Sequence, residues 1–323
     1  MNDFDVIIIG GGPIGIACGI EAQKRDLCYL IIEKGTIVNS LFNYPEGMTF
    51  FSSSDKLELD DIPFISENAK PYKSESLEYY RRIVTSKNLN INLFETVIDV
   101  KKEVELYRVK TSRGSYTASK IVVATGFYDI PNKLNIPGEA LPKVSHYYKH
   151  PHYYSRQRVA IVGASNSAVD AALEIFRKGG HVTMIIRGDK ISERVKYWVR
   201  PDMINRLEEG NIQVYYNAQI EEISEGEIVV LQHEKEIRIK NDYVLALTGY
   251  QPNFDFLQKI GITLSSDGKK KPFYKPETME TDRAGIYLAG VICGGMETHK
   301  WFIENSRVHA SLIMDSIKTN FKI

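Results

Sequence analysis

Gly10-Gly11-Gly12-Pro13-Ile14-Gly15 sets three glycines in a Gly-x-Gly-x-x-Gly spacing, the pattern a backbone needs to approach a pyrophosphate. Gly10 permits a tight turn, Gly12 a close approach, and Gly15 close packing of the next helix on the preceding strand. A helix starting there offers phosphate its unpaired N–H groups and partial positive charge. Glu33 follows eighteen residues beyond Gly15, where a carboxylate accepts hydrogen bonds from both ribose hydroxyls of an adenosine. A second turn, Gly163-Ala164-Ser165-Asn166-Ser167-Ala168, is a relaxed version with Ser165 at the middle glycine. Here Arg187 takes the place of the acid. A carboxylate would repel a 2′-phosphate, whereas a guanidinium pairs with it through a bidentate fork. Lys190, Arg194 and Lys196 extend the basic patch, and the reading is a site for NADPH. The competing reading is a solvated basic loop.

Each turn sits inside a module that can position it. Asp5 to Ile9 is a buried-strand run before the first turn, Ile16 to Lys24 has helical character, and Tyr29 to Ile32 is the strand ending at Glu33. Arg158 to Val162, Val169 to Lys178 and His181 to Ile186 repeat the order around the second turn. Asn90 to Val100 and Leu106 to Thr111 alternate like antiparallel hairpin strands. Tyr128 to Pro142, with three prolines and a Pro-Gly pair, and Thr248 to Pro252 read as connections. Two connections flanking an internal module imply that the second domain is inserted in the first.

Composition narrows the class. At 323 residues the chain can form two compact domains, and 43% hydrophobic with 25% charged residues is an ordinary globular mix. Forty-one basic residues balance 41 acidic ones, so no overall field favours nucleic acid or an anionic membrane. Apolar runs such as Lys120 to Ala124 fall far short of the ~20 residues of a membrane span. The N-terminus runs into a strand with neither a basic n-region nor a cleavage site. With three widely spaced cysteines, Cys18, Cys28 and Cys293, this suggests a reducing cytoplasm rather than a disulfide scaffold or zinc ribbon. His146, His150 and His152 lie in a connection with no nearby carboxylate, so no metal site is expected.

Ala124-Thr125-Gly126 after one strand and Thr248-Gly249-Tyr250 after another resemble the crossover turns of thioredoxin-reductase-like flavoproteins. Asn43-Tyr44-Pro45, Thr49 to Leu57, Lys240 to Tyr243, Glu277 to Thr281 and Phe302 to Asn305 resemble the YpdA-type family, over nearly the whole chain. The resemblance implies an α/β fold of two Rossmann-like domains: an FAD domain of residues 1–122 and 246–323, split around an NADPH domain of residues 123–245. It implies an NADPH-dependent FAD reductase acting on a low-molecular-weight disulfide, bacillithiol disulfide in that family, or on a small redox protein. A homodimer or higher homo-oligomer is usual there. The FAD set is Gly10, Gly12, Pro13, Ile14, Gly15, Glu33, Lys34, Phe51, Ser52, Val97, Ala124, Thr125, Gly126, Gly290 and Val291. The NADPH set is Gly163, Ser165, Asn166, Ser167, Arg187, Lys190, Arg194 and Gly249.

Two departures bear on mechanism. Thioredoxin reductases carry Cys-x-x-Cys where this chain reads Ser145 to His152, so an internal dithiol relay is excluded by residue type. The better-studied YpdA-type branch has Gly-Pro-Cys-Gly in the first turn, and Ile14 stands at that cysteine. Cys18 lies one helical turn further on the same face, among apolar neighbours that raise a thiol pKa. Cys293 follows the flavin-side Gly290-Val291, where the superfamily often has Gly-Asp, and precedes the last helix. These two are the candidate thiols; Cys28 reads as packing. Otherwise the flavin passes electrons directly to the acceptor. Tyr44 to Phe51 either wall the flavin or fill core, and His299 and Lys300, beside Trp301, face either the flavin pyrimidine or a dimer partner. The rival functions are a ferredoxin- or flavodoxin-NADP reductase and a non-catalytic NADPH-sensing flavoprotein.

Overall fold

The computed structural model describes residues 3–320. It contains two compact units, Met1–Ile130 with Tyr250–Ile323, and Pro131–Gly249. Unit 1 carries strands β1 (Asp3–Ile9), β2 (Tyr29–Ile32), β3 (Ile91–Asn92), β4 (Val97–Glu103), β5 (Leu106–Thr111) and β6 (Ser115–Val123). The short strands β7 (Ile130–Pro131) and β16 (Tyr250–Gln251) lie at the two connections. Unit 2 holds β8 (Val144–Ser145), β9 (Arg158–Val162), β10 (His181–Ile186), β11 (Gln213–Tyr216), β12 (Ala218–Ile223), β13 (Glu227–Gln232), β14 (Lys235–Lys240) and β15 (Tyr243–Ala246). The last strand, β17 (Ile286–Leu288), returns to unit 1. The helices are α1 (Pro13–Lys24), α2 (Asn39–Phe42), α3 (Lys73–Ser86), α4 (Asn166–Arg177), α5 (Arg200–Glu208), α6 (Phe254–Lys259), α7 (Ile303–Ser306) and α8 (Val308–Asn320).

In unit 1 the sheet order is β3-β2-β1-β6-β5-β4. Val6 to Ile9 pair in parallel with Tyr29 to Ile32 on one side and with β6 on the other. Because both faces are covered, the strands are continuous apolar runs; Val6, Ile7, Ile8, Ile121, Val122 and Val123 have no exposed surface. The chain runs outward from β1 to β3 and then crosses back to β6, so strand order reverses beside β1. Such a reversal opens a crevice at the carboxyl ends of the strands. On its other edge β6 holds the β5 hairpin at its start and β17 at its end.

Unit 2 repeats the design. Its five-stranded sheet runs β11-β10-β9-β15-β8 and reverses between β9 and β15, with a three-stranded antiparallel sheet β12-β13-β14 beside it. The amphipathic helix α4 buries Ala168, Val169, Ala171, Ala172, Leu173 and Ile175 against it.

The units change over at Ile130/Pro131 and Gly249/Tyr250, rather than at the sequence-based 122/123 and 245/246. Residues after β6 stay with unit 1 because Ala124 N–H donates to Ile9 O and the Tyr128 ring packs on Tyr44 and Tyr250 at 4.7 and 4.4 Å. The stretch Asn90 to Val100 is not one hairpin strand. Phe94, at φ +54°, bends it into β3, parallel to β2, and β4, antiparallel to β5.

Candidate functional sites

The first glycine turn lies at the carboxyl end of β1, in the crevice of unit 1. A Cβ on Gly10, at φ +111°, would sit 2.5 Å from Ala124 O, and one on Gly15 would overlap Gly10 O. A Cβ on Gly12 would meet nothing within 4 Å. The turn is thus packed tight on the protein side and open on the other, as a phosphate cradle requires. Pro13 starts α1, where its missing N–H costs nothing.

Glu33 closes the adjacent strand and is buried. Its Oε2 accepts from Gly11 N–H at 2.7 Å and its Oε1 from Gly35 N–H at 2.9 Å. Burial pushes its carboxyl up, opposed by those two donors. Each oxygen keeps a lone pair for a further donor. Lys34 next door pairs with Asp129 at 2.8 Å. Val97 comes from a distant strand, but Glu95 N–H donates to Glu33 O and Phe94 N–H to Gly35 O, drawing this segment to the same strand end. On the other flank, Thr125 Oγ1 is buried without a hydrogen-bond partner and Gly126 turns at φ +69° over open space. An orphaned hydroxyl beside an open glycine turn asks for a ligand.

Gly290, at φ +84°, begins a 3₁₀ turn (Gly290–Gly294) that also holds Val291, and its Cα faces Ile14, whose Cγ1 would lie 3.3 Å from an added Cβ. Phe51 is 56% exposed beneath the Lys70 ammonium, whereas Phe50 joins the core; Ser52 is half-buried.

Sequence reasoning missed His309, since a lone histidine in a helix carries no signal. It is buried on α8, its Nδ1 accepts Gly290 N–H at 3.2 Å, and its ring stands edge-on to Trp301 at 4.6 Å. An acceptor at Nδ1 fixes the neutral imidazole with its proton on Nε2. Burial accordingly lowers its pKa to about 4. The unfolded chain therefore gains a proton near pH 6.5 that the folded protein refuses until about pH 4, and stability falls as pH drops through that window. We expect urea unfolding of His309→Asn to lose this component, because the amide oxygen replaces Nδ1 without titrating. His309→Ala should cost roughly 1–3 kcal/mol at pH 7 by orphaning Gly290 N–H.

Cys18 and Cys293 have no exposed surface, and burial pushes both thiols well up. Cys293 Sγ lies 3.9 Å from His309 Nδ1, but that nitrogen already accepts from Gly290 and is no base for the thiol. Cys28, read from the sequence as packing, is exposed. It precedes β2 opposite Asp5, five strand positions from Gly10, or roughly 16 Å at ~3.3 Å per residue.

In unit 2, Gly163 turns at φ +136° after β9, and Ser165 caps α4 with an exposed side chain that bonds no helix N–H. Asn166 pins the following loop, accepting from Lys196 N–H at 2.8 Å and donating to Arg194 O at 3.1 Å. Ser167, Arg187 and Arg194 are exposed around this turn. Lys190 is also exposed but pairs with Glu193 at 2.5 Å. Lys196 does not belong to the basic patch: it is buried in an ion pair with Asp170 at 2.7 Å. Arg200, unread in the sequence, opens α5 close enough for its charge to act on Lys190 and Glu193, and its Nε is buried and unpartnered. Gly249, at φ +89°, ends the unit, where Asn132 N–H donates to Gly249 O and Asn132 Nδ2 to Thr248 O.

Among the described residues no cluster of metal-ligating side chains occurs, and no helix is long and apolar enough to cross a membrane.

Residues 7–290 match the family model described as pyridine nucleotide-disulphide oxidoreductase. The chain is 44% identical to bacilliredoxin reductase Bdr of Bacillus subtilis over 313 residues, 96% of each chain. It superimposes on the bacillithiol disulfide reductase Bdr (YpdA) from Bacillus cereus with a TM-score of 0.96 at 43% identity, covering 99% and 100% of the two chains. For the Staphylococcus aureus protein of the same name the values are 0.97 and 40%, covering 99% of both. The chain therefore belongs to the pyridine nucleotide-disulphide oxidoreductase family, together with the Bdr proteins, and is a flavin- and pyridine-nucleotide-dependent disulfide reductase.

Proposed function

We propose that unit 1 binds FAD, that unit 2 binds NADPH, and that the enzyme reduces a bacillithiol-type disulfide, free or carried on a bacilliredoxin, without a thiol of its own. The observation that carries this is the pair of matched turns with opposite charges at the next strand end: Glu33 at one, Arg187 at the other. The residues of unit 1 fit a flavin dinucleotide. The open Gly12 face and the α1 N-terminus would hold the pyrophosphate, Glu33 the adenosine ribose, and Thr125 Oγ1 and the Gly290 turn the flavin side. Ser165 and Arg187, with Arg194 and Arg200 near, suit a nucleotide bearing a 2′-phosphate. A flavin held there would supply the redox chemistry that links a nicotinamide to a disulfide, with NADPH, a proton and the disulfide balancing NADP⁺ and two thiols. The relatives' names support this choice of acceptor: one is a bacilliredoxin reductase, the others bacillithiol disulfide reductases.

The decisive experiment is anaerobic single turnover. NADPH should bleach the flavin absorbance, and bacillithiol disulfide or oxidised bacilliredoxin should restore it. Restoration by oxidised ferredoxin alone would overturn the acceptor assignment, and failure to bleach would overturn the enzyme itself. The Cys18→Ala/Cys293→Ala double variant should keep kcat for the disulfide within about twofold, although filling the lost thiol volume incompletely costs it ~1–2 kcal/mol of stability. A loss of disulfide turnover with bleaching intact would restore a protein thiol to the mechanism.

A further inference from the structure

Around the Gly290–Gly294 turn, unit 1 carries a cluster of cations that the reaction as proposed does not use. The loop Gly268-Lys269-Lys270-Lys271 packs on the end of this turn: Met296 N–H donates to Lys269 O at 2.8 Å, and a Cβ on Gly295 would meet Lys269 O at 2.5 Å. From the other side Lys300 Cβ and Trp301 Cδ1 approach Gly294, and would lie 3.8 and 3.5 Å from a Cβ added there. Four lysines thus share one rim with Asp267, Glu297 and His299. Glu297 pairs with Lys269 at 3.0 Å, and Asp267 accepts Lys269 N–H and Ser265 Oγ–H.

The other three ammonium groups are held differently. Lys270 Nζ lies 5.3 Å over Phe254, Lys271 Nζ 5.7 Å over Tyr274, and Lys300 Nζ 5.7 Å over Trp301. Among the described residues none of the three has a carboxylate within ion-pair distance, whereas Lys24 and Lys87 converge on Asp60 and Lys190 takes Glu193. A ring attracts an ammonium without consuming its N–H donors. Each cation is therefore steadied yet still able to bond a carboxylate, which lowers the ordering cost of binding. Phe273 and Phe302, exposed by 54% and 51%, supply apolar surface on the same two segments. Fixed cations with exposed aromatics over two loops make a surface suited to a macromolecule, since aromatic residues are enriched in interfaces and matched charges steer encounter.

We propose that this lysine–aromatic rim docks the acidic face of a small disulfide-carrying redox protein, bringing its disulfide to the Gly290 turn. The proposal rests on the reading that this turn borders the flavin and that a protein disulfide is an acceptor.

The test compares the wild-type holoenzyme with Lys270→Glu/Lys271→Glu, using oxidised bacilliredoxin as the docking probe and uncharged menadione as the control. The variant should show a KM for bacilliredoxin raised at least tenfold at low ionic strength, with the salt dependence of the wild type removed. Its menadione turnover and anaerobic bleaching by NADPH should be unchanged. An unaltered KM, a wild-type enzyme that does not reduce oxidised bacilliredoxin, or a change in oligomeric mass on charge reversal would each overturn the docking proposal. Failure of the wild type to bleach would instead strike the functional reading. Lys270→Gln/Lys271→Gln, which removes charge without adding repulsion, should fall between the two.

Discussion

Gly15→Ala should purify without flavin, its absorbance near 450 nm relative to 280 nm reduced at least tenfold, and with a much lower melting temperature. The cause is local. A Cβ on Gly15 would overlap the carbonyl oxygen of Gly10, with Gly10 C at 3.0 Å and Ala124 Cβ at 3.7 Å behind it. Backbone on one side and the β6 exit on the other leave nothing to yield except the α1–β1 packing itself, and such strain costs ~3 kcal/mol or more. Gly12→Ala separates the fold from the ligand. Its Cβ would enter open space, so the flavin-free variant should melt close to the flavin-free wild type, while it binds flavin far more weakly and gains correspondingly less stability from it. If both variants retained flavin equally, the assignment of this turn to a pyrophosphate would fail.

The second large effect is expected at Arg187. Arg187→Ala should raise the KM for NADPH about 10–100-fold, corresponding to roughly 1.5–3 kcal/mol for a charge-assisted hydrogen bond, and leave the KM for NADH within twofold. Because Arg187 is exposed, the difference should narrow in 0.5 M salt, where the Debye length falls to a few ångströms. Arg200→Ala should move the same ratio in the same direction by less. Steady-state kinetics with both nucleotides decide the matter; a parallel loss with NADH would show that Arg187 supports the loop rather than the 2′-phosphate.

Both effects fall on residues whose role is legible along the chain, because strand, turn and helix are contiguous there. β1, α1 and β2 position Gly10 to Glu33 through neighbours within about 25 residues, and β9, α4 and β10 do the same for Gly163 to Arg187. What the sequence hid depends on distant partners. Lys196 looks like the fourth cation of a patch until α4 turns Asp170 beneath it. Cys28 looks like packing until the left-handed turn at Asp26, φ +53°, delivers Leu27 to the core and Cys28 to solvent. His309 is unremarkable in a helix, and its partner is a main-chain N–H nineteen residues earlier. The lysine rim is assembled from residues about 30 apart.

The place of β17 on β6 also has a consequence for how the chain comes together. Ile286 to Leu288 pair with Ile121 to Val123, so this edge of the central sheet stays bare while roughly 160 intervening residues are made, on the order of 10–30 s at ~5–20 residues per second. The inserted unit is continuous in sequence and meets no such delay. It can reach its own core while the nascent first unit still lacks β17 and α8. Until β17 arrives, the edge at Ile121 to Val123 is open to pairing with another chain.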